Sequence, residues 1–373
     1  MSQKIDISII SSGASLADAR LHRLTRALLR AGLSVEIFAP GNSKDAPSPT
    51  SKLFIRKPFL SNQWKIRSLG PRYFRSRYFV FRSKGRVIYA ISPEAIAPSF
   101  AIAKLLRKKL AVDFFEDYLR LLNDRAWTKR YLGIVGWIAK SDTKSALWFA
   151  KRADLTTVAD IQVPPFDARN RLVVRNLPDA SLLTNSGERS STPRAIYIGD
   201  LRKSRGLYDM LRVAELAPNW EFDFVGAVAS SDQEFVNQWL RAHDPNQSRI
   251  HFHGRLAPQD SWKFAAGAWV GLSLLESTPA FEEAVPSKLY EYMEVGLATI
   301  STPLPRCVEL IERSRSGAIE STPEGVAARL KNWQENPAEL DSLRNQGKKW
   351  ASDNLDSERE YAIFAAEMMK LTR

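Results

Sequence analysis

The feature that most constrains this chain is an alternation of short apolar runs and helical stretches that begins twice. "KIDISIIS" (4–11) is an apolar run. "DARLHRLTRALLRAG" (18–32) follows, with Leu21, Leu24, Leu28 and Leu29 at helical spacing and Gly32 as its stop. Strands are predicted at 34–40, 86–92 and 109–118, with a helix over 93–108. Long helices continue to about Arg152, and short strands follow at 155–159 and 171–176. The stretch "PDASLLTNSGERSSTP" (178–193), rich in Ser, Thr, Asn, Gly and Pro, interrupts the pattern. The alternation then restarts, with strands at 194–200, 220–228, 249–254, 269–276 and 297–302. This β-α-β-α order implies parallel, doubly wound sheets, because a helix carries the chain back between parallel neighbours. The expected architecture is two Rossmann-like α/β domains, 1–180 and 194–356, joined by a hinge near 178–193. The last stretch (357–373) reads as a helix with Tyr361, Phe364, Ala365 and Met368 on one stripe.

A chain of 373 residues, 44% of them hydrophobic, is long enough for two cores. The one cysteine, Cys307, excludes an intramolecular disulfide and a multi-cysteine metal site. Of the four histidines, His22, His243, His251 and His253, the last two share a strand face, but no carboxylate or cysteine stands close by them in sequence, so no metal site is expected. No run of about 18 apolar residues is present and the N-terminus lacks an apolar leader, so a cytoplasmic location is expected. The net charge is +13, and it is segregated. Between Asp45 and Glu94 there is no acid. That interval holds eleven Lys and Arg residues, interleaved with Phe54, Phe59, Trp64, Tyr73, Phe74, Tyr78, Phe79 and Phe81. Such a segment suits an anionic membrane surface, with Trp64, Arg72, Arg75 and Arg77 as the expected contacts. A nucleic-acid binder can look similar, but no nucleic-acid-binding motif accompanies the segment, and nucleic acid is not an expected partner.

In open α/β sheets ligands bind beyond the carboxyl ends of the strands, and a cleft between two such domains is the default site. Two stretches carry the chemistry. In "EEAVPSKLYEYMEVGLATIST" (282–302), Pro286 suits the first position of a helix and Gly296 its end. Ser287, Lys288 and Leu289 then supply free first-turn N–H groups, an anion site strengthened by the helix dipole. Glu291, one turn in, can accept from vicinal hydroxyls such as those of a ribose. Glu283 precedes the helix and can reach hydroxyls further out. An ordinary capped surface helix fits the spacing equally well. In "YIGDLRKSRGLYDML" (197–211), Gly199, Arg202, Lys203 and Arg205 stand where a strand ends and a phosphate would lie, although a solvated basic turn has the same composition. Asp113 and Glu116 sit at another strand end. They read either as cleft carboxylates or as an acidic loop capping the next helix.

"VPSKLYEYMEVGLATIST" resembles the Pro-Ser/Thr-Lys-Leu-x-Glu-Tyr-Met-x-x-Gly segment of glycosyltransferase family 4, the nucleotide-sugar-dependent enzymes of the GT-B fold. "YIGDLRKSRGL" is similar to that family's strand–Gly–turn–Lys-Gly element. "ISSGASLADARLHRLTRALLRAGLSVEIF", which contains Gly13, is similar to its N-terminal Asp-x-Arg-x-x-Arg helix. "LAVDFFEDYL" resembles its Asp-x-His-Glu-x-Tyr element, and "VVRNLPD" its Asn-x-Pro-Asp stretch. The matches follow the family's order over most of the chain.

The resemblance implies two facing domains, with the final helix crossing back onto the first. It implies an E-x7-E pair in which Glu291 binds the donor ribose and Glu283 the transferred sugar. Arg205 takes the place of the diphosphate-holding lysine. Gly254 and Arg255 lie beside the nucleobase, and Gly13 is a donor contact. Asp113, Glu116, Arg205 and Glu283 are the expected catalytic positions. Two departures stand out: Asp200 replaces an arginine common in the family, and Phe115 replaces the usual histidine. The implied activity is a hexosyltransferase, expected to be retaining, acting in cell-surface polysaccharide or glycoconjugate synthesis. It would use a nucleotide-diphosphate-sugar and neither metal nor other cofactor. The acceptor would be a glycan or a polyprenyl-linked sugar at the inner face of the cytoplasmic membrane. A nucleotide-sugar epimerase, or a non-catalytic partner that keeps the fold, are the alternatives.

Overall fold

The computed structural model describes residues 4–13, 15–56, 69–123, 128 and 133–373, with the backbone alone for 69–73. The chain forms two compact units: Met1–Asn176 together with Glu358–Arg373, and Leu177–Ser357.

Unit 1 is built on seven strands: β1 (Ile7–Ile10), β2 (Val35–Phe38), β3 (Leu53–Arg56), β4 (Val87–Ala90), β5 (Lys109–Phe114), β6 (Leu155–Val158) and β7 (Arg171–Val173). They pair in the order β3-β2-β1-β4-β5-β6-β7, all parallel. β1, β2, β4 and β6 are buried at every residue. Helices cover both faces of a parallel sheet, so its central strands are apolar runs and do not alternate. The helices are α1 (Ala19–Arg30), α2 (Leu69–Arg82), α3 (Pro93–Leu105), α4 (Tyr118–Asn123) and α5 (Ile134–Ala150). The Asp18 side chain caps α1 by accepting from the Leu21 N–H at 2.9 Å, which satisfies one of the helix's unpaired donors. Leu21, Leu24 and Leu28 pack with Ile7, Ile9, Val35, Ile37 and Tyr89 on one face of the sheet. On the other face α3 lies between α2 and α5, over Ile10, Ile88 and Val112. The Phe100 and Phe149 rings meet there at 4.9 Å.

Two short strands escape the sequence reading. β3 pairs with β2 and turns the start of the basic segment into a sheet edge. The second is the last strand of unit 2. That unit has six strands: β8 (Arg194–Ile198), β9 (Glu221–Val225), β10 (Ile250–Gly254), β11 (Val270–Ser273), β12 (Ala298–Ser301) and β13 (Gly317–Ile319), the last being the one missed. Their order is β10-β9-β8-β11-β12-β13, again all parallel. The helices are α6 (Leu207–Leu216), α7 (Gln233–His243), α8 (Pro258–Ser261), α9 (Ser287–Val295), α10 (Pro305–Ser314), α11 (Pro323–Glu335) and α12 (Pro337–Asn354). Trp220, Phe222, Phe224 and Trp333 anchor the main core.

The polar stretch 178–193 belongs to unit 2 itself. The Ser186 N–H donates to the Val295 carbonyl at 2.9 Å, and the Ser190 N–H to the Gly267 carbonyl at 2.9 Å. Arg344 donates to the carbonyls of Gly187 and Gly296, both at 2.8 Å. The chain therefore passes between units at Asn176–Leu177, ahead of that stretch.

The chain returns to unit 1 in α13 (Ser357–Thr372), whose Tyr361, Phe364, Ala365 and Met368 are buried in the α1-side core. Phe364 packs on Tyr89 at 5.8 Å, and Arg86 donates to the Thr372 carbonyl at 2.7 Å.

Candidate functional site

In unit 2 the strand order reverses between β8 and β11, which opens a crevice at their carboxyl ends. The two motif stretches meet there. β8 is followed by Gly199, whose φ of 150° and N–H bond to the Val225 carbonyl (2.8 Å) turn the chain sharply. A Cβ at Gly199 would stand 2.4 Å from Cε and 2.7 Å from Nζ of Lys288, so only glycine lets Lys288 lie across this turn. Gly206, after the 3-10 turn Lys203–Arg205, has φ +79°, and a Cβ there would come within 1.9 Å of the Leu274 carbonyl. The Glu276 N–H donates to the Ser204 carbonyl at 3.1 Å, which ties the loops after β8 and β11 together.

α9 begins beside this turn. Pro286 is its extended N-cap, one place earlier than the sequence suggested, and Gly296 closes it with φ 77°. Its N-cap, Pro286, makes no side-chain cap bond, and the Leu289 N–H donates to the Pro286 carbonyl at 3.0 Å, so the anion-binding capacity of this helix start lies ahead of Leu289. Leu289 is fully buried, with its side chain in the core. Tyr292 is also buried and donates to the Leu272 carbonyl at 3.1 Å, which pins the helix to β11. Glu291 is 5% exposed, one turn into the helix. Glu283 is exposed on the preceding loop, which Arg306 braces by donating to the Glu283 carbonyl at 2.6 Å.

Two cations converge on Tyr197. Lys288 Nζ lies 5.6 Å from its ring centroid, and the Arg205 guanidinium interacts with its hydroxyl. Burial pushes the Tyr197 hydroxyl up to about 12, while the charge of Arg205 works in the opposite direction. The Arg205 guanidinium also stands 5.9 Å from the Phe281 ring centroid. The other expected cations are differently engaged. Asp200 holds Arg202 at 2.9 Å and also pairs with Arg255 from the loop after β10. Gly254 precedes that arginine with φ 69°. Lys203 Nζ lies 5.9 Å from the Tyr208 ring, which stacks on Phe235 at 3.9 Å.

Tyr197, Phe281 and Glu276 were not singled out from sequence. Burial raises the Glu276 carboxyl above its usual value, against the pull of Lys203. Its position just past a central strand at a reversal of strand order was the signal available. Ser273 Oγ, at the end of β11, is buried without a hydrogen-bond partner among the described residues.

In unit 1, Gly13 follows β1 and its N–H donates to Ser92 Oγ at 3.2 Å. Asp113 is no free cleft carboxylate. It is 1% exposed and accepts from Arg20 Nε at 2.7 Å, Arg20 Nη2 at 2.6 Å and Thr157 Oγ1 at 2.6 Å. Arg20 also donates to the Val174 carbonyl and to Asn176 Oδ1, both at 2.8 Å. This network fastens α1 across β5, β6 and the end of β7, and the role of Asp113 in it is structural. Glu116 is half-buried in the loop after β5, where the Phe115 ring packs edge-on against Tyr118 at 5.4 Å. Arg75 is half-buried and Arg77 exposed on α2, while Trp64 and the Arg72 side chain lie outside the described residues. Among the described residues no group of three or more His, Cys, Asp or Glu side chains is placed to hold a metal ion. His253 is instead bonded to Asp223 at 2.6 Å.

Residues 182–350 match the family model described as glycosyl transferases group 1. No curated protein sequence matches the chain significantly. Among solved structures, sucrose-phosphate synthase from Thermosynechococcus elongatus superposes with a TM-score of 0.70 at 12% identity, over 99% of each chain. HepE from Anabaena, in complex with UDP and glucose, gives 0.67 at 16% identity, over 98% of this chain and 99% of its own. WaaG, a glycosyltransferase involved in lipopolysaccharide biosynthesis, gives 0.64 at 11% identity, over 97% and 99%. The fold is thus GT-B, two Rossmann-like parallel-sheet units, and unit 2 carries the glycosyl transferases group 1 match.

Proposed function

We propose that the chain is a glycosyltransferase that takes its sugar from a nucleotide-diphosphate donor bound by unit 2. The observation that carries this is the convergence of Lys288, Arg205 and the uncapped start of α9 at the carboxyl end of β8, with Glu291 one turn further on. Two cations and a helix N-terminus suit a diphosphate, and a buried glutamate suits the hydroxyls of a ribose. HepE, whose structures contain UDP and UDP-glucose, supports a donor of that class.

In the reaction, the bond from the anomeric carbon to the donor phosphate breaks and its electron pair leaves with the diphosphate. Arg205 and Lys288 stabilise that charge as it develops. An acceptor hydroxyl bonds to the anomeric carbon and its proton passes to the leaving phosphate, a front-face course that retains configuration. Glu283, exposed ahead of α9, reaches the transferred hexose. No metal is needed for this course, because the charge is met by side chains. The acceptor proposed is a glycan or polyprenyl-linked sugar of cell-surface glycoconjugate synthesis, met at the inner face of the cytoplasmic membrane. No helix among the described residues is long and apolar enough to cross a membrane.

Titration calorimetry with a panel of nucleoside diphosphates and their sugars tests the donor. One nucleotide should bind, and Glu291→Ala should weaken it by about 10- to 100-fold through loss of a charge-assisted acceptor. Unchanged affinity in that variant would overturn the assignment. Release of free sugar from the donor by the wild type separates an enzyme from a non-catalytic partner.

A further inference from the structure

The outer surface of an α/β layer is ordinarily its polar side. In unit 1 the α2–α3–α5 layer departs from this. Of the thirteen large apolar side chains that stand exposed among the described residues, nine lie on these three helices or the residue ending α3. α5 shows the cause. Its buried stripe is made of small residues, Gly136, Ala139, Thr143, Ala146 and Ala150, which lets it sit close to α3 and the sheet. Four of its large residues therefore face outward, while Leu147 and Phe149 pack against the core. Trp137 is 71% exposed, and Ile134, Ile138 and Trp148 share its side of the helix. α2 repeats the arrangement: Phe74, Tyr78 and Phe81 form an exposed stripe, Phe81 at 74%, with Arg77 and Arg82 on its flanks.

The fully exposed charge on this layer is basic, while its acids Glu94 and Asp142 are half-buried. The exposed charged residues of α2, α3 and α5 are Arg77, Arg82, Lys104, Lys140 and Lys144, and no exposed Asp or Glu stands among the described side chains of these helices. The Arg152 guanidinium, just past α5, lies 3.7 Å over the Trp148 ring.

We propose that this three-helix face is a bilayer-docking surface, seated in an anionic leaflet by Trp137, Trp148 and Phe81 and held there by the lysines and arginines between them. Aromatic residues favour the headgroup region, and long basic side chains keep their stems in the apolar zone with their charges at the phosphates. A protein partner is the poorer fit, because the core of a protein interface is depleted of lysine. The inference rests on the proposed membrane-side acceptor and deepens it. The basic segment supplies one of three helices, with Phe81, and α5, far along the chain, supplies both tryptophan anchors.

Vesicle co-sedimentation tests it, using phosphatidylcholine alone or mixed with phosphatidylglycerol, at low and high salt. The wild type should bind the mixed vesicles, release with salt and ignore the neutral ones. Trp137→Glu and Phe81→Glu should each lower partitioning at least tenfold, and Lys140→Glu with Lys144→Glu several-fold. Phe235→Ser, in unit 2, should leave vesicle binding unchanged. Melting temperature and nucleoside diphosphate affinity, unchanged in each unit 1 variant, show that the fold persists. Absence of binding to mixed vesicles at low salt, or full binding by Trp137→Glu, would overturn the proposal. So would light scattering that shows a wild-type dimer broken by Trp137→Glu, since the face would then join two copies. Loss of nucleotide binding in the wild type would count against the donor reading and leave this surface standing.

Discussion

The two units share one construction and differ in which surface they leave unfinished. Each is an all-parallel sheet whose strand order reverses next to its first strand, β1 in one and β8 in the other. Unit 2 exposes a single large apolar side chain, Phe235, whereas unit 1 exposes the other twelve of the thirteen among the described residues. Unit 2 instead concentrates charge at the carboxyl ends of its strands, where Lys288, Arg205, Arg202, Arg255 and Asp200 meet. At the matching end of unit 1, a principal cation, Arg20, is spent inward on Asp113. The same scaffold thus serves polar recognition in one copy, while the other turns its charge to internal stability and its helical layer outward.

The sharpest way to break this contrast is to treat Arg20–Asp113 as functional. If the pair is structural, Asp113→Ala leaves a buried guanidinium without its partner and should cost about 3–5 kcal/mol of unit 1 stability. Urea denaturation measures that loss, and the nucleotide affinity of unit 2 should survive it. The converse case is Arg205→Ala. Turnover should fall about 100-fold, as when one stabiliser of a developing anion is removed, while the melting temperature stays near wild type. An equal loss of stability in that variant would erase the distinction between the units.

Asp200 offers a smaller effect of opposite sign. It holds two arginines that a diphosphate would otherwise attract, so Asp200→Asn should tighten nucleoside diphosphate binding by about 3- to 10-fold and steepen its salt dependence. Weaker binding would mean that Asp200 positions the arginines for the ligand. The smallest effect concerns Asp142 on α5. Burial, with the charge of Glu94 adding to it, raises this carboxyl from 3.8 to about 6. Between those values the folded state keeps a proton that the unfolded state has released, so stability should fall as pH rises from about 4 to 6. With its partial exposure taken into account, the change should be about 1 kcal/mol. Asp142→Asn should remove that slope in thermal melts recorded across the window.

Much of the architecture was legible because parallel central strands are apolar runs and their helices carry clear stops such as Gly32 and Gly296. β3 and β13 were not, since strands of four and three residues at sheet edges carry too little apolar pattern. The places of Lys288, Glu291 and Arg205 in their elements were legible because local spacing sets them at or within one turn of an element end. Asp113 looked available because nothing nearby in the sequence announces Arg20, its partner 93 positions away. The outward face of α5 was hidden for another reason. Periodicity shows that a helix has two sides, and a buried stripe of small residues reverses the usual guess about which side is inside.

The return of α13 to unit 1 has a consequence for how the protein is made. Unit 2 is one uninterrupted stretch, so it can close on itself as soon as its residues are available. Unit 1 cannot, because Tyr361, Phe364 and Met368 complete its α1-side core and are synthesised after all of unit 2. Domains of growing chains usually fold in the order they are made. Here the portion translated first must wait with part of that core open until the helix that seals it arrives. The second unit, though begun later, can finish earlier, and shortening the chain from its carboxyl end should harm the amino-terminal unit first.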